Sequence, residues 1–136
     1  ARWRGAHGVA AAAPGAFGAA RALGAHGVVG GRRRLDEVGP VDLVFDTVGG
    51  ELLERATALL GSDGRLVSIA EDPPREGTYF VVEPNREQLI ELARLMDTRQ
   101  VRVAIDSTFA LSEAAAAFER SLASGKHGKV VIRVAG

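Results

Sequence analysis

The chain has 136 residues, of which 46% are hydrophobic and 25% charged, and its 17 basic and 17 acidic residues balance to zero net charge. This composition is typical of a globular domain with a core, and a neutral chain gives no electrostatic reason to expect binding to nucleic acid or to a membrane. The absence of cysteine excludes disulfides, thiol nucleophiles and cysteine-ligated metals, and the three histidines are far apart in sequence, so we expect no metal site.

The first forty residues are rich in Ala, Gly and Arg and carry the weakest structural pattern. They are consistent with a flexible lead-in that lacks a convincing first strand. Alternatively, "GAFGAARALGA" forms a turn and a short helix, and "HGVVGG" forms a weak strand. The chain has no initiator Met and no apolar segment of the signal-peptide type, so we expect a cytoplasmic protein that is a fragment or a processed product.

A strand, a helix and a second strand follow one another from Val41 onwards. The apolar run "VDLVF" predicts a buried strand, and "ELLERATALL" predicts an amphipathic helix that ends at Gly61. Gly64 is then expected to close a turn before the strand "RLVSIA". Short links between these elements predict a parallel, right-handed βαβ unit.

Two more helices and three more strands are predicted in the second half. "EDPPREG" is a loop, and the strands are "TYFVVE", "VRVAID" and "KVVIRV". Asn85 and Gln88 form a capping box at the start of one helix, and Ser112 caps the helix "EAAAAFERSLAS", which Gly125 stops. The periodic spacing predicts the buried faces of these two helices as Leu89, Leu92, Ala93 and Met96, and Ala114, Ala117, Phe118 and Leu122.

Several of these stretches resemble one protein family, in its order and at close to its spacing. They are "VDLVFDTVGGELLERA", "LLGSDGRLVSIA", "YFVVEPNREQLIELARLMD", "VRVAIDSTFALSEAAAAFE" and "SGKHGKVVIRV". The chain resembles the C-terminal part of the medium-chain dehydrogenase/reductase superfamily, in its zinc-free, NADPH-dependent quinone oxidoreductase-like branch. The resemblance implies an α/β fold with a Rossmann-like, doubly wound and mostly parallel sheet. One truncated cofactor-binding domain is expected over 1–136, and 101–136 can alternatively be assigned to the segment that returns to the catalytic domain of the family.

The resemblance also implies where the nicotinamide end of NADPH binds. Ligands of doubly wound sheets bind beyond the carboxyl ends of the strands, so the residues that end three strands are expected to line the cofactor cleft. Without the surrounding resemblance, "DTVGG" would be interpreted as an ordinary helix start with a glycine turn. The expected contacts are Asp46, Thr47, Val48 and Gly49 after the first strand, Ile69 and Ala70 after the second, and Tyr79, Phe80 and Val81 after the third.

The phosphates of the cofactor are expected nearer the N-terminus. Gly15, Ala16, Phe17 and Gly18 form the candidate pyrophosphate turn before a helix start, although an Ala/Gly-rich tract produces such spacings by chance. Arg32 and Arg33, with Arg34, follow the next strand, where an NAD-preferring domain has an acidic residue. Guanidinium groups at this place suit the 2′-phosphate of NADP, while the alternative is a solvated run of charges.

The implied function is hydride transfer from NADPH to a quinone, an enone or a similar small carbonyl compound, with no catalytic residue assigned. The alternative is a non-catalytic nucleotide-binding or dimerisation module derived from the same family. The catalytic domain of the family is absent from this sequence, and "RRRLDEVGP" is too short for the usual parallel crossover. The chain is therefore expected to be incomplete, as a fragment, a decayed relative or a protein with an unusual N-terminus. The edge strand "TYFVVEP" predicts a homodimer.

Overall fold

The computed structural model describes residues 2–30, 34–74 and 76–134 of the chain. They divide into two compact units, Ala1–Pro84 and Asn85–Gly136. All described strand pairs are parallel, and a helix connects the two strands in three of the four pairs, which agrees with the predicted α/β, Rossmann-like fold. The assignment of 1–136 to one domain stays a prediction. In the described part of the chain, no helix is both long enough and apolar enough to cross a membrane.

The first unit begins with a small βαβ arrangement. Strand β1 (Val9–Ala12) leads through a 3₁₀ turn, Pro14–Ala16, into helix α1 (Phe17–Ala22), and β2 (Gly27–Gly30) pairs with β1 in parallel. The expectation that this region lacks a first strand was wrong. β1 consists of one Val and three Ala, so pairing with β2 stabilises it more than its own strand propensity does.

A three-stranded parallel sheet forms the rest of the first unit. Strand β3 (Val41–Asp46) is followed by helix α2 (Gly50–Thr57) and strand β4 (Leu60–Ser68), and β5 (Thr78–Tyr79) extends the sheet in the order β3-β4-β5. The predicted parallel βαβ unit is confirmed. The core of this unit includes the side chains of Leu35, Leu53 and Leu66.

Three boundaries in this sheet differ from the prediction. Helix α2 ends three residues early, and β4 already begins at Leu60 because Leu60 pairs with Val41. The register of the two strands then shifts between Val41 and Leu43. The predicted turn at Gly64 is therefore an irregularity inside a strand, as in a β-bulge. The predicted strand "TYFVVE" shortens to Thr78–Tyr79, and no regular structure follows it before residue 86.

The second unit contains two helices and a pair of parallel strands. Its elements are α3 (Arg86–Asp97), β6 (Ile105–Ala110), α4 (Ala114–Leu122) and β7 (Lys129–Arg133), and β6 pairs with β7. The Asn85 side chain accepts a hydrogen bond from the Gln88 N–H at 3.0 Å, which confirms that Asn85 caps α3. The strand predicted at 101–106 begins only at Ile105. Its predicted start is occupied differently, because the N–H groups of Gln100 and Val101 donate hydrogen bonds to the Leu95 carbonyl in the last turn of α3.

Helix α4 starts and stops differently from the prediction. Ser112 lies in a 3₁₀ turn, and the Glu113 carboxylate accepts a hydrogen bond from the Ala110 N–H at 2.8 Å instead. The helix ends at Leu122, before the predicted stop at Gly125. A glutamate three residues into the turn thus replaces the expected serine cap.

The predicted buried faces of the two helices were largely wrong. On α3 only Leu95 is buried, and on α4 only Ala117 is buried. The other predicted positions are exposed: Leu89, Leu92, Ala93 and Met96 on α3, and Ala114, Phe118 and Leu122 on α4. Helical spacing places apolar side chains on one face, but it does not determine whether another element covers that face.

One carboxylate joins β6, α4 and the loop before β7 in the second unit. Asp106 on β6 accepts two hydrogen bonds from the Arg120 guanidinium on α4, at 2.7 and 2.8 Å, and one from the His127 N–H at 2.9 Å. The hydrogen bonds from the Arg120 guanidinium are the main reason why the pKa of Asp106 lies far below its usual range. This bidentate geometry is a strong form of arginine–carboxylate contact.

Candidate functional site

The carboxyl ends of β3, β4 and β5 lie side by side at one edge of their sheet. Asp46 on β3 is the register partner of Ser68 on β4, and Ser68 is the partner of Tyr79 on β5. Backbone hydrogen bonds continue just beyond the strands, from the Ile69 N–H to the Asp46 carbonyl at 3.0 Å and from the Phe80 N–H to the Ser68 carbonyl at 2.8 Å. The structure therefore brings the three predicted groups of strand-end residues together.

Asp46 directs its carboxylate inwards to the backbone of the following turn. The side chain is buried, and its oxygens accept hydrogen bonds from the Val48 and Gly49 N–H groups at 3.1 Å. Burial by itself would raise the pKa of Asp46, but the hydrogen bonds from the Ser68 hydroxyl and these backbone groups outweigh burial and lower it. Asp46 is thus a charged residue that shapes the "DTVGG" turn.

Ser68 connects the end of β4 to Asp46. Its hydroxyl is fully buried, donates to Oδ2 of Asp46 at 2.7 Å, and accepts from the N–H groups of Ala70 and Glu71 at 3.1 and 3.2 Å. The sequence prediction did not include Ser68. A serine inside the apolar run "RLVSIA" was a usable signal, because a buried hydroxyl requires hydrogen-bond partners.

Glu71 connects the same two turns from the outside. Its carboxylate Oε1 accepts a hydrogen bond from the Gly50 N–H at 2.6 Å, at the start of α2. Gly49 has a φ of +76°, and a Cβ atom built on it would lie 2.9 Å from Cδ of Glu71. The backbone conformation therefore favours glycine at Gly49, and a larger residue there would displace the Glu71 side chain. The prediction missed Glu71 as well.

Apolar side chains are exposed along this edge of the sheet. Each is between 42% and 66% exposed, and they are Val48, Ile69, Tyr79, Phe80 and Val81. Thr47 and Ala70 are exposed between them. The N–H groups of Ile69 and Ala70 already bond to Asp46 and Ser68, so these two residues can offer a ligand only their carbonyl oxygens and side-chain surface. This edge fits a flat, weakly polar ring better than an anion.

The candidate phosphate turn spans the start of α1. Gly15 and Ala16 lie in the 3₁₀ turn between β1 and α1, and Phe17 and Gly18 are the first two residues of the helix, so the predicted turn of four residues is only partly a turn. Cβ atoms added to Gly15 and Gly18 would meet nothing within 4 Å, so the backbone is open to close approach by a ligand. A Cβ on Gly30, at the end of β2, would lie 3.6 Å from the Phe17 ring and 3.7 Å from the Arg34 side chain. The turn and the end of β2 are therefore neighbours.

The arginine run is described only in part. Arg32 and Arg33 lie outside the described residues. Arg34 forms an ion pair with Glu37 at 3.0 Å, and both side chains are more than half exposed. An exposed pair of this kind is weak, so Arg34 can exchange this partner for another anion at little cost.

The described parts of the chain, 2–30, 34–74 and 76–134, contain no group of three or more His, Asp or Glu side chains that could hold a metal ion. The sequence contains no cysteine.

Comparison with known proteins decides the family. The family model for zinc-binding dehydrogenases matches residues 23–132, which is most of the chain. The chain belongs to the zinc-binding dehydrogenase family. This confirms the predicted membership of the medium-chain dehydrogenase/reductase superfamily, whose members are oxidoreductases.

Individual relatives agree with this family. The trans-enoyl reductase poxH of Penicillium oxalicum is 31% identical over 61 residues, which cover 45% of this chain and 16% of that protein. The quinone oxidoreductase from Coxiella burnetii is 26% identical with a TM-score of 0.82, over 98% of this chain and 47% of that one.

A third relative contains a cofactor. The protein described as short chain alcohol dehydrogenase rspB from E. coli CFT073, whose structure is a complex with NADH, is 15% identical with a TM-score of 0.73, over 93% of this chain and 44% of that one. At this identity the likeness shows the fold alone. This chain thus spans less than half the length of each of these three relatives.

Proposed function

We propose that this chain is the cofactor-binding part of an NADPH-dependent, zinc-free oxidoreductase that reduces quinones, enones or similar small carbonyl compounds. The observation that carries the proposal is the alignment of Asp46, Ser68 and Tyr79 at one sheet edge, with exposed apolar side chains beyond them. This edge lies at the carboxyl ends of parallel strands, where doubly wound folds bind their ligands.

The nicotinamide ring would lie on the exposed apolar edge. Val48, Ile69 and Phe80 would contact the ring, while the carbonyl groups near Ala70 and Tyr79 would accept hydrogen bonds from its carboxamide. NADPH supplies the hydride in reactions of this kind. The residues of this chain would orient the ring and exclude water from it, and none of them is assigned a proton-transfer role.

The phosphates would bind at the turn that follows β1. The open backbone at Gly15 and Gly18 permits close approach of a pyrophosphate, and Arg32, Arg33 and Arg34 follow the strand that ends next to this turn. Guanidinium groups bind a phosphate with two parallel hydrogen bonds. This arrangement supports NADPH rather than NADH as the preferred cofactor.

The edge of strand β5 supports a homodimer as part of the proposal. β5 pairs with β4, and among the described residues no strand pairs with its other side. Phe80, Val81 and Val82 continue from it with at least half of each side chain exposed. An apolar edge of this kind invites pairing with a second copy. Sedimentation at micromolar concentration should show a dimer, and a monomer would contradict this part of the proposal.

A titration with both dinucleotides tests the proposed cofactor. NADPH should bind with a change in its fluorescence and at least tenfold more tightly than NADH, which corresponds to about 1.4 kcal/mol. Replacing Arg32 and Arg33 by alanine should remove this preference and leave NADH binding unchanged. Arg102→Ala, which changes an exposed arginine of the second unit, is the matched control.

Turnover with a simple quinone would support the oxidoreductase directly. Binding without turnover is expected both of a cofactor-binding part and of a non-catalytic nucleotide-binding module, so it supports the cofactor site and leaves the reaction as a proposal. Absence of binding for both dinucleotides would contradict the proposed function.

A further inference from the structure

We propose that Glu71 is a positioning residue of the cofactor site, which fixes the backbone segment that must carry the nicotinamide ring. This inference rests on the proposed function. It goes beyond that function because it assigns a role to a side chain that touches the protein rather than the cofactor.

The segment after β4 is held at two points. At its start, the N–H groups of Ala70 and Glu71 bond to the buried Ser68 hydroxyl. At its far end, the Glu71 carboxylate bonds to the Gly50 N–H at 2.6 Å. Ile69 and Ala70 lie between the strand and this second point, and both are exposed.

The second point joins two turns that come from different strands. Gly50 begins α2, directly after the "DTVGG" turn that Asp46 organises from inside. The Glu71 side chain passes over Gly49, where an added Cβ would lie 2.9 Å from its Cδ atom. Glu71 therefore links the end of β4 to the end of β3 on the exposed side, while the contact between Ser68 and Asp46 links them on the buried side.

Without the Glu71 carboxylate, the exposed link is lost and the buried link remains. The fold should then persist, but residues 69–71 would sample more conformations. A ligand that binds to this segment must then order it, and this ordering lowers affinity without removing any direct contact. The link does not require a charge at Glu71. A side chain of the same length with an oxygen that accepts the hydrogen bond from the Gly50 N–H is sufficient.

Three substitutions of Glu71 separate the effect of side-chain length from the effect of charge. Glu71→Ala removes the acceptor, Glu71→Asp retains the charge but shortens the side chain by one methylene, and Glu71→Gln retains both length and an acceptor oxygen. Glu54→Ala is the control, because Glu54 is an exposed glutamate on α2 itself. The midpoint of thermal unfolding should stay within about 3 °C of the wild type for all four, as is usual for exposed side chains.

NADPH affinity and emission are the measurements that a purely structural role would not change. We expect Glu71→Ala and Glu71→Asp to bind NADPH roughly tenfold more weakly, with a smaller change in NADPH emission on binding. Glu71→Gln should stay within about threefold of the wild type and Glu54→Ala within about twofold, since neither loses the hydrogen bond to Gly50. Amide hydrogen exchange at Gly50 should accelerate only in the Ala and Asp variants.

Two results would overturn the inference while leaving the proposed function intact. One is NADPH binding by Glu71→Ala that equals the wild type. The other is a Gln variant that binds as weakly as the Ala variant although its Gly50 amide stays protected, because charge rather than position would then matter. A wild-type chain that binds no dinucleotide would overturn the proposed function and this inference with it.

Discussion

The Ser68 hydroxyl offers the sharpest test of how the candidate site is built. Ser68→Ala removes one donor to the Asp46 carboxylate and the acceptor of the Ala70 and Glu71 N–H groups. A hydrogen bond to a charged group contributes roughly 1.5–3 kcal/mol, and a buried group left without its partner adds to the loss. We expect the free energy of unfolding of the first unit to fall by about 2 kcal/mol at pH 7.

The pH dependence of this loss has a defined sign. The hydrogen bond from Ser68 helps to lower the pKa of Asp46 below its ordinary value of 3.8. A carboxylate with a lowered pKa in the folded state stabilises the fold above its unfolded pKa, and the contribution disappears as the pH falls through the folded pKa. The difference between Ser68→Ala and the wild type should therefore be largest near neutral pH and shrink as the pH falls below 3.8.

Urea unfolding followed by circular dichroism measures both effects. Ser62→Ala is the matched control, because Ser62 is an exposed serine on the same strand. It should change the free energy of unfolding by less than about 0.5 kcal/mol. A Ser68→Ala variant as stable as this control at pH 7 would refute the reasoning, and a loss that does not vary with pH would refute the role of Asp46.

Three further predictions concern the core, the second unit and the glycine turn. Leu53→Ala should lower the free energy of unfolding in urea by about 2–5 kcal/mol, because the Leu53 side chain is fully buried. Leu43→Ala, which changes an exposed side chain, should have little effect. Equal losses in the two variants would contradict the described core. Asp106→Asn should lower the thermal midpoint at pH 7 but not in strong acid, since its lowered pKa stabilises the fold only when the carboxylate is charged; a pH-independent loss would argue against the ion pair. Gly49→Ala should weaken NADPH binding and destabilise the first unit, because φ is +76° and Glu71 occupies the space of the new methyl group; unchanged binding and stability would show that the turn relaxes.

The central βαβ unit was predictable because its sequence signals agree with one another. A β-branched apolar run, a glycine turn and an amphipathic helix all favour the arrangement that β3, α2 and β4 adopt. Strand β1 was not predictable from its composition, because three of its four residues are alanine and its stability comes from pairing with a distant strand. The shifted start of β6 has a similar origin, since contacts with the end of α3 override the alternating pattern of 101–106.

The position of the candidate site could be predicted from the sequence, but its internal construction could not. The family resemblance located the three strand ends, and the strand register brings them to one edge. Ser68 and Glu71 escaped prediction because their roles depend on contacts with Asp46 and Gly50, which are about twenty residues away in sequence. The exposed faces of α3 and α4 were missed for a related reason, because periodicity describes a helix and not its neighbours.

An NMR titration with NADPH tests the central claim most directly. The amide resonances of Val48, Ile69 and Phe80, at the ends of the three strands, should shift together as NADPH is added and saturate with a single dissociation constant. Thr98 and Ser121 in the second unit should not shift. Shifts absent from these strand ends, or confined to other residues, would contradict the proposal that they carry the nicotinamide.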